Sequence, residues 1–572
     1  MNFTTKTENK IKLEKIDKIK DADICEYRVK IVFDSEESPR PYSIIWDEEQ
    51  IDIYGFWSSK TATQHNITPD WYMRTEESRT ASGMPLICLY NKANINRATI
   101  ALSDPSSPMA LKAGVVEETG AVRVEIELFS QTCSKMKEYE VVIRIDRRPI
   151  PFYEAVKGVR AWWNTLGYKC AHTPTHAKLP MYSTWYSLHQ STLPERIINE
   201  CKNAKAYGMD TVIVDDGWQT DDNSRGYAFC GDWQVCESKI PDMKKLVDDI
   251  HALGMKLMVW FSVPFVGMES KNYARFKGKY LRINHRSRAG VLDPRFKEVR
   301  DFLTDTYATA VEKYGWDGLK LDFIDSFGLS EESSTEYDKM DTMSVEEALQ
   351  RLLEEATEKL KRINPEILIE FRQSYVGPAI SKYGNMFRAA DCPNDAIYNR
   401  VHCLNLRLTS GTTAVHSDMI MWNKDDKNES VMYQLLGVLF AVPQISVRFD
   451  EITDEHKRLL AAYLGFWREH GKTLLEGELV VRDVDANYSM AQSKKDGECV
   501  AVLYQNVVKT LENVECEYIF NCTGADKIYI DAPTAIKYEI YDIFGKKYSS
   551  GELPLGPSML PVRDCEMVKL FH

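Results

Sequence analysis

The sequence predicts a multidomain protein of mixed α/β and β class, with a central (β/α)8 TIM barrel flanked by an N-terminal antiparallel β-sandwich and a small C-terminal β domain. In the middle of the chain, short apolar strands alternate with amphipathic helices, which favours a parallel sheet, and eight such strands favour a closed barrel. Towards both ends, apolar residues instead recur at every second position, as in antiparallel sheets. Several central strands end in carboxylates, and such strand ends converge on one site in a barrel.

The length of the chain indicates more than one domain. Its 572 residues exceed an ordinary domain, and 44% hydrophobic residues suffice for a large core. We expect the sandwich at residues 1–170, the barrel at 171–472 and a C-terminal antiparallel β domain at 473–572.

Period-two alternation predicts the strands of both terminal domains. In the sandwich, the predicted strands are Tyr27–Phe33, Ile51–Tyr54, Val122–Leu128 and Tyr139–Ile145. In the C-terminal domain, they are Glu478–Arg482, Cys499–Tyr504 and Lys537–Asp542.

The barrel segment contains eight candidate strands and recognisable helix boundaries. The strands are expected near residues 182, 212, 258, 320, 368, 388, 413 and 445. A helix at Ile240–Leu253 has its apolar residues on one face and ends at Gly254. A capping box formed by Ser344 and Glu347 begins a helix that continues to about Ile363.

Composition narrows the class of partner. The formal net charge is −13 and no strongly basic run occurs, so nucleic acid is an unfavourable partner and a neutral small molecule fits better. An apolar run long enough for a membrane span or an export signal is missing from the sequence. The thirteen scattered cysteines lack zinc-site spacing and predict reduced thiols in a cytoplasmic protein without metal or cofactor.

Two carboxylates are the candidate catalytic groups. Asp322 ends an otherwise apolar strand that also contains Lys320, and burial of an unpaired carboxylate is costly enough to suggest a function. Asp391 is the first polar group after the apolar pair on the sixth strand. Cleavage of a glycosidic bond needs one carboxylate as nucleophile or base and a second carboxyl group as acid. We assign these functions to Asp322 and Asp391 respectively.

Several motifs, taken together and in this order, resemble glycoside hydrolase family 36, the melibiase-type α-galactosidases with their raffinose-synthase relatives. The motifs lie between about residues 180 and 450 and are Tyr182–Gln190, Val214–Trp218, Gly231–Trp233, Gly254-Met255, Lys320–Phe323 and Ala390-Asp391, with Asp395 and Arg400 downstream. The predicted order of domains is also similar to that of the family.

The resemblance implies a retaining α-galactosidase that acts on oligosaccharides. In this interpretation Asp322 forms a covalent galactosyl enzyme, and Asp391 protonates the leaving oxygen and later activates water. Asp215 and Asp216 would bind the 4- and 6-hydroxyls, and Lys320 would bind the ring hydroxyls. The remaining predicted substrate-binding residues are Trp218, Trp260, Arg372, Trp185 and Trp233. A homo-oligomer is compatible with the resemblance.

Departures from the family pattern leave alternatives open. The segment Glu370–Pro378 replaces the family's Cys-Ser-Gly-Gly-Gly segment, so galactose and N-acetylgalactosamine both remain as candidate sugars. One additional residue between the two acids leaves Asp395 as an alternative to Asp391. The sequence His416-Ser417-Asp418 and Trp422 have no assigned function.

Other interpretations of the same residues remain. A galactosyl transferase or an α-N-acetylgalactosaminidase would use the same two carboxylates. A non-catalytic carbohydrate-binding barrel and a metal-dependent lyase or isomerase are alternatives of other classes. Asp322 would then be a structural partner of Lys320, and Asp391 would be a helix N-cap.

Overall fold

The computed structural model describes residues 1–571. The N-terminal part is a sandwich of two antiparallel sheets. Its strands are β1 (Thr4–Thr7), β2 (Ile11–Lys20), β3 (Ile24–Glu37), β4 (Tyr42–Glu48), β5 (Gly55–Ser58), β6 (Arg74–Ser78), β7 (Leu86–Tyr90), β8 (Asn96–Leu102), β9 (Met109–Val115), β10 (Val122–Leu128) and β11 (Met136–Asp146). One sheet has the order β1-β4-β10-β9-β6, and the other has the order β2-β3-β11-β8-β7-β5.

Three of the predicted sandwich strands are present, and one prediction is wrong. Ile51–Tyr54 forms a turn before β5, with Asp52 at φ 53°. Ile51 and Tyr54 are 62% and 50% exposed, whereas Ile53 packs against the sandwich core. The positive φ, which Asp tolerates better than most residues, ends the extended conformation.

The central part is the predicted barrel. In chain order its strands are β12 (Met181–Ser183), β13 (Thr211–Val214), β14 (Lys256–Ser262), β15 (Phe265–Gly267), β16 (Tyr280–Asn284), β17 (Ala289–Leu292), β18 (Gly318–Asp322), β19 (Leu368–Arg372), β20 (Met386–Arg388), β21 (Ala414–His416) and β22 (Gln444–Ile445). Strands β15, β16 and β17 form a small inserted sheet. The others form an eight-stranded sheet in the order β21-β20-β19-β18-β14-β13-β12-β22. Bridges from His416 to Val442 and from Ile420 to Ile445 bring its two edges together. All eight predicted barrel strands are confirmed.

Helices surround this sheet. They are α1 (Phe152–Thr165), α2 (Trp185–Leu188), α3 (Pro194–Ala206), α4 (Met243–Ala252), α5 (Lys271–Arg275), α6 (Lys297–Tyr314), α7 (Val345–Ile363), α8 (Ala396–Thr409), α9 (Asn428–Gly437) and α10 (Asp454–Glu476). Helix α4 begins later than predicted because Asp242 is its N-cap and accepts from the Lys245 amide. Ser344 caps α7 by accepting from the Glu347 amide, which confirms the predicted start of that helix. None of the helices between residues 1 and 571 has the length and apolar character that a membrane crossing needs.

The barrel interior changes from apolar to charged along the strands. Near the strand starts, buried apolar side chains pack together as one cluster: Ala177, Met181, Ile213, Met258, Leu368, Met386 and Ala414. Two residues further along three neighbouring strands stand Lys320, Glu370 and Arg388, which are all buried. Because side chains two apart on a strand share a face, this charged layer lies on the apolar one, towards the carboxyl ends of the strands.

The C-terminal part consists of two sheets. Its strands are β23 (Glu478–Arg482), β24 (Met490–Lys495), β25 (Glu498–Leu503), β26 (Val508–Thr510), β27 (Cys516–Asn521), β28 (Ile528–Ala532), β29 (Ile536–Tyr541), β30 (Lys547–Leu553), β31 (Gly556–Leu560) and β32 (Met567–Phe571). The larger sheet has the order β23-β24-β25-β27-β32-β29-β30, and the smaller one β26-β28-β31. The pairs β25–β27 and β26–β28 are parallel, unlike the predicted all-antiparallel domain. The chain crosses to the smaller sheet through β26 between β25 and β27, and such a crossover permits parallel pairing.

Candidate active site

Asp322 ends β18 and is the most heavily bonded carboxylate at the barrel mouth. Its Oδ1 accepts from Arg372 Nε at 2.6 Å and from the Phe323 amide at 2.8 Å. Its Oδ2 accepts from Trp260 Nε1 at 3.1 Å and lies 3.9 Å from Lys320 Nζ. Although burial raises the pKa of this carboxyl, the cations of Arg372, Lys320 and Arg388 hold it well below its usual range. Asp322 is therefore a buried carboxylate at neutral pH.

Lys320 joins Asp322 to the end of β13. Its Nζ donates to Asp215 Oδ2 at 2.6 Å, and the side chains of both residues are at most 5% exposed. The backbone amide of Asp215 donates to Thr184 Oγ1, and Asp215 Oδ1 accepts from the Asp216 amide. Burial lowers the pKa of Lys320, but Asp215 and Asp322 more than compensate, so the ammonium group is retained.

Asp216 lies in a different environment from Asp215. Its two oxygens accept from the side-chain amides of Gln190 (2.8 Å) and Gln219 (2.7 Å). Burial raises the pKa of Asp216 to about 6, since amide donors compensate only part of the lost hydration. The pair Asp215–Asp216 thus combines a cation-bound carboxylate with one held by neutral groups.

Arg372 ends β19 beside the candidate nucleophile. In addition to Asp322, its guanidinium contacts Asp325 Oδ2 at 3.3 Å and donates to the Gln373 carbonyl at 2.7 Å. Tyr375 also contacts Asp322: its hydroxyl oxygen lies 3.4 Å from Asp322 Oδ1. The segment Glu370–Pro378 therefore places a cation and a phenol on one oxygen of Asp322.

Asp391 lies at the mouth, shortly after β20, with its side chain 55% exposed. Its Oδ1 accepts from Arg388 Nη2 at 2.8 Å. Partial loss of water and the charge of Asp322 raise its pKa, whereas Arg388, Arg372 and Lys320 lower it further, so the pKa lies below its usual value. A carboxylate reachable from solvent thus stands near the buried Asp322.

Asp395, the alternative acid, has a structural function. Its Oδ1 accepts from the Tyr398 amide at 2.9 Å and makes Asp395 the N-cap of α8. The helix-capping function considered for Asp391 therefore belongs to Asp395.

The three residues His416, Ser417 and Asp418, to which the sequence assigned no function, make structural contacts at the ends of the barrel strands. His416 Nε2 contacts the Ala177 carbonyl, and burial lowers the pKa of His416 to about 4. Ser417 Oγ accepts from the Gln444 amide. Asp418 is completely buried and accepts from Arg388 Nη1. These side chains bind other side chains and backbone, and they hold the strand ends together.

Tryptophans beside the site divide into supporting and lining residues. Trp260 is 2% exposed and contacts Asp322 directly. Trp218 has 0% exposure, donates from Nε1 to the Trp260 carbonyl and packs against Phe261 and Trp316, and its contact with substrate stays a prediction. Trp233 is 5% exposed and stacks against Trp218, and its contact with substrate stays a prediction. Trp185 is only half-buried and stacks on His189 at a centroid distance of 4.0 Å.

The sandwich contributes to the rim of the site. Arg79 donates to the carbonyls of Phe327 and Asp325, and Ser82 Oγ lies 2.8 Å from Ser374 Oγ. The Gly83 amide donates to the Ser374 carbonyl at 2.8 Å. The loops after β18 and β19 are therefore fixed from outside the barrel.

Sequence reasoning missed the side chains that hold the predicted carboxylates. These residues are Gln190, Gln219, Tyr375 and Arg388. Asp418 and Tyr186, also missed, hold Arg388 rather than a predicted carboxylate. Gln190 lies inside the motif Tyr182–Gln190, and a charged Arg388 at the end of an apolar strand was a signal of the same kind as Lys320. In the part of the chain that the structure describes, three or more His, Cys, Asp or Glu side chains do not gather as a metal site. The expectation of a metal-free reaction stays a prediction.

Sequence comparison relates the barrel to one family. Residues 174–396 match the family model for melibiase. The bifunctional α-galactosidase/sucrose kinase AgaSK of Mediterraneibacter gnavus is 30% identical over 163 residues, which are 27% of this chain and 17% of that protein. The α-galactosidase AgaA of Geobacillus stearothermophilus is 26% identical over 139 residues, 23% of this chain and 19% of that protein. The matched stretches thus span less than a fifth of these relatives.

Structural comparison extends over nearly the whole chain. The galactosidase domain of AgaSK gives a TM-score of 0.64 at 15% identity and covers 96% of this chain and 78% of that one. An AgaA variant from Geobacillus stearothermophilus in complex with stachyose gives a TM-score of 0.63 at 15% identity. This match covers 96% of this chain and 79% of that one. At this identity the similarity confirms the multidomain barrel fold.

Proposed function

We propose, from a barrel that is a melibiase domain of the glycoside hydrolase family 36 type, that this protein is a retaining α-galactosidase. It would release terminal α-galactosyl residues from oligosaccharides without a cofactor. The observation that carries the proposal is the pair of carboxylates at the barrel mouth, one buried and ionised and the other open to solvent.

Asp322 is the nucleophile in this mechanism, and its Oδ2 is the attacking atom. Arg372, the Phe323 amide and Tyr375 all engage Oδ1. Oδ2 has the weaker set of neighbours, a 3.1 Å bond from Trp260 and a 3.9 Å contact with Lys320. The less engaged oxygen retains the free lone pair that bond formation needs.

In the first half-reaction, the Asp322 Oδ2–C1 bond forms while the bond from C1 to the leaving oxygen breaks. Asp391 donates a proton to that oxygen. The product is a galactosyl ester of inverted configuration at C1.

In the second half-reaction, Asp391 is a carboxylate and removes a proton from water. The water oxygen attacks C1 and the ester bond to Asp322 breaks. Two inversions return the α configuration and regenerate both carboxyl groups.

Asp215 and Asp216 would determine which sugar binds. Carboxylates accept from neighbouring hydroxyls, and the axial 4-hydroxyl and the 6-hydroxyl of galactose are suitable donors. Gln190 and Gln219 hold Asp216, and Lys320 holds Asp215, so both acceptors are preorganised. Substitution of either carboxylate should therefore raise KM for galactosides.

Arg372 would face the 2-position of the bound sugar. It bonds the non-attacking oxygen of Asp322, and the substituent on C2 of a sugar attacked at C1 lies beside that carboxylate. A guanidinium already held by Asp322 and Asp325 can donate to a hydroxyl but leaves little space for an acetamido group. We therefore favour galactose over N-acetylgalactosamine.

The function is tested by following hydrolysis of methyl α-galactopyranoside and raffinose with ¹H NMR. We expect α-galactose to appear before its β anomer, and N-acetylgalactosaminides to react much more slowly. Initial formation of β-galactose would contradict the retaining mechanism. New oligosaccharides in place of free galactose at high sugar concentration would indicate the transferase instead.

A further inference from the structure

We propose that Arg388 is a positioning residue for Asp391: its guanidinium, anchored on two buried carboxylates, fixes the carboxyl group of Asp391 at the barrel mouth and holds it in the charged form. This inference rests on the proposed function, because it assigns Asp391 as the acid and base of a glycosidase.

Arg388 is built into the barrel core. It is the last residue of β20 and is 0% exposed. Its Nη1 also donates to the Ala389 carbonyl at 3.0 Å. A buried guanidinium is costly without partners, so its presence needs compensation from nearby carboxylates.

The buried carboxylates of Asp418 and Glu370 lie beside the Arg388 guanidinium. Asp418 accepts from Arg388 Nη1 and is itself held by the Cys392 amide at 2.7 Å and the Tyr186 hydroxyl at 3.0 Å. Glu370 Oε1 lies 3.5 Å from Arg388 Nε, and its other oxygen accepts from Gln444. The Glu370 contact is one of charge only, because neither Arg388 Nε nor Glu370 Oε1 has a hydrogen-bond partner. The guanidinium is therefore held mainly through Nη1, by Asp418 and the Ala389 carbonyl, and this leaves Nη2 directed towards Asp391.

Nη2 is the group that reaches Asp391. The 2.8 Å bond to Asp391 Oδ1 is the only hydrogen bond that residues 1–571 give to this carboxyl group. The side chain is otherwise 55% exposed. Without Arg388, therefore, the carboxyl group would be free to rotate away from the leaving oxygen, and orientation contributes strongly to such reactions.

The charges around Asp391 come from several elements. Arg388, Arg372 and Lys320 lower its pKa, whereas partial loss of water and the charge of Asp322 raise it. Asp418, which accepts from Arg388, and Tyr186, which donates to Asp418, are also close enough to Asp391 to interact with its charge. Burial raises the pKa of both Asp418 and Glu370, although the Arg388 guanidinium opposes that shift.

This arrangement favours the second half-reaction over the first. The free protein contains mostly carboxylate Asp391, whereas departure of a poor leaving group needs the acid form. When Asp322 becomes a neutral ester, one negative charge is lost, and Asp391 becomes still more ionised and ready to act as base. Substrates with good leaving groups depend less on the acid form.

The test compares pH profiles of kcat/KM for methyl α-galactoside, a poor leaving group, and 4-nitrophenyl α-galactoside, a good one. The proteins are wild type, Arg388→Gln and Arg388→Lys. We expect Arg388→Gln to move the basic limb for the methyl galactoside upwards by about one pH unit, and to lower kcat at the optimum by about 10- to 100-fold. Arg388→Lys should lower kcat while leaving the basic limb near its wild-type position, because the charge remains.

Arg295→Lys is the matched control, because Arg295 is also 0% exposed and paired with a carboxylate, Asp293, away from the site. Its pH profile should equal that of wild type. A basic limb in Arg388→Gln that coincides with wild type would overturn the proposal.

A wild-type measurement keeps the proposal testable if Arg388→Gln does not fold. The basic limb for the methyl galactoside should then lie at lower pH than that for the 4-nitrophenyl galactoside. Identical limbs for the two substrates would contradict it. Absence of any α-galactoside hydrolysis by wild type would instead overturn the proposed function, and this inference with it.

Discussion

At the scale of single residues, Asp216 shows how the site is built at the expense of stability. Its carboxyl group is 2% exposed and is held by two neutral amides, with a pKa raised by burial to about 6. The folded state therefore binds this proton more tightly than the unfolded chain. The stabilising effect of the bound proton is complete below about pH 4 and is lost as pH rises through 6.

Asp216→Asn should consequently stabilise the protein at neutral pH. We expect a gain of about 1–3 kcal/mol in the free energy of unfolding at pH 7.5, and little gain at pH 4, together with weaker sugar binding. Urea unfolding of wild type and Asp216→Asn at both pH values measures the change in the free energy of unfolding. Asp301→Asn, which changes an exposed carboxylate on α6, is the control. An equal effect of Asp216→Asn at both pH values would refute this account of Asp216.

Arg372 determines the ionisation of Asp322, the proposed nucleophile. The pKa of Asp322, raised by burial, is brought below its usual range first of all by Arg372. Because the nucleophile must be ionised, activity is lost as pH falls through this pKa. Arg372→Met should raise the pKa of Asp322 and so move the acid limb of kcat/KM to higher pH, with a loss of about 10- to 100-fold at the optimum. An acid limb that does not move would show that Arg372 acts on substrate alone.

At the scale of elements, the segment between β20 and α8 separates two aspartates by function. Asp395 caps α8, whereas Asp391 points into the mouth beside Arg388. Asp395→Ala should lower the free energy of unfolding by about 1 kcal/mol and keep most of the activity. Asp391→Ala should leave the free energy of unfolding nearly unchanged. It should lower kcat/KM for substrates with poor leaving groups by at least about 10²-fold.

Thermal unfolding and kinetics of these two variants measure the difference, and each serves as the control for the other. If Asp395→Ala lost the activity and Asp391→Ala retained it, the assignment of the acid would be reversed.

The elements that sequence reasoning predicted are those with a local signal. The barrel strands are apolar runs bounded by turns, and Ser344 and Asp322 are visible as a helix cap and as a charge in an apolar strand. Arg388, Asp418 and Tyr186 come from three separate segments, and their pairing exists only after the barrel closes. Ile51–Tyr54 shows the converse error, because alternation predicted a strand where the positive φ of Asp52 interrupts the extended backbone.

At the scale of the whole molecule, the sandwich and the barrel share a buried ion pair. Arg79 Nη1 lies 2.8 Å from Glu346 Oε1 on α7, with side chains 13% and 5% exposed. The Ala81 amide donates to the other oxygen of Glu346 at 2.9 Å. Arg79 also donates to the Asp325 carbonyl, and Asp325 contacts Arg372. The sandwich is thereby linked to the loop beside Asp322, the proposed nucleophile.

Glu346→Ala should destabilise the protein by about 2–4 kcal/mol, because it leaves the largely buried guanidinium of Arg79 without its carboxylate partner, and should also lower kcat. Glu358→Ala on the same helix removes an exposed pair and should cost less than about 1 kcal/mol without a change in kcat. Unfolding curves and initial rates measure both. Equal effects of the two substitutions would contradict the proposed link between the domains.

The central claim is that Asp322 attacks the anomeric carbon of an α-galactoside, and the rate of 4-nitrophenol release from 4-nitrophenyl α-galactopyranoside tests it most directly. Wild type and Asp322→Ala are measured side by side. We expect release by wild type and a decrease of about 10³-fold or more in the variant. Equal release by both proteins would show that Asp322 is not the nucleophile, and no release by wild type would contradict the α-galactosidase itself.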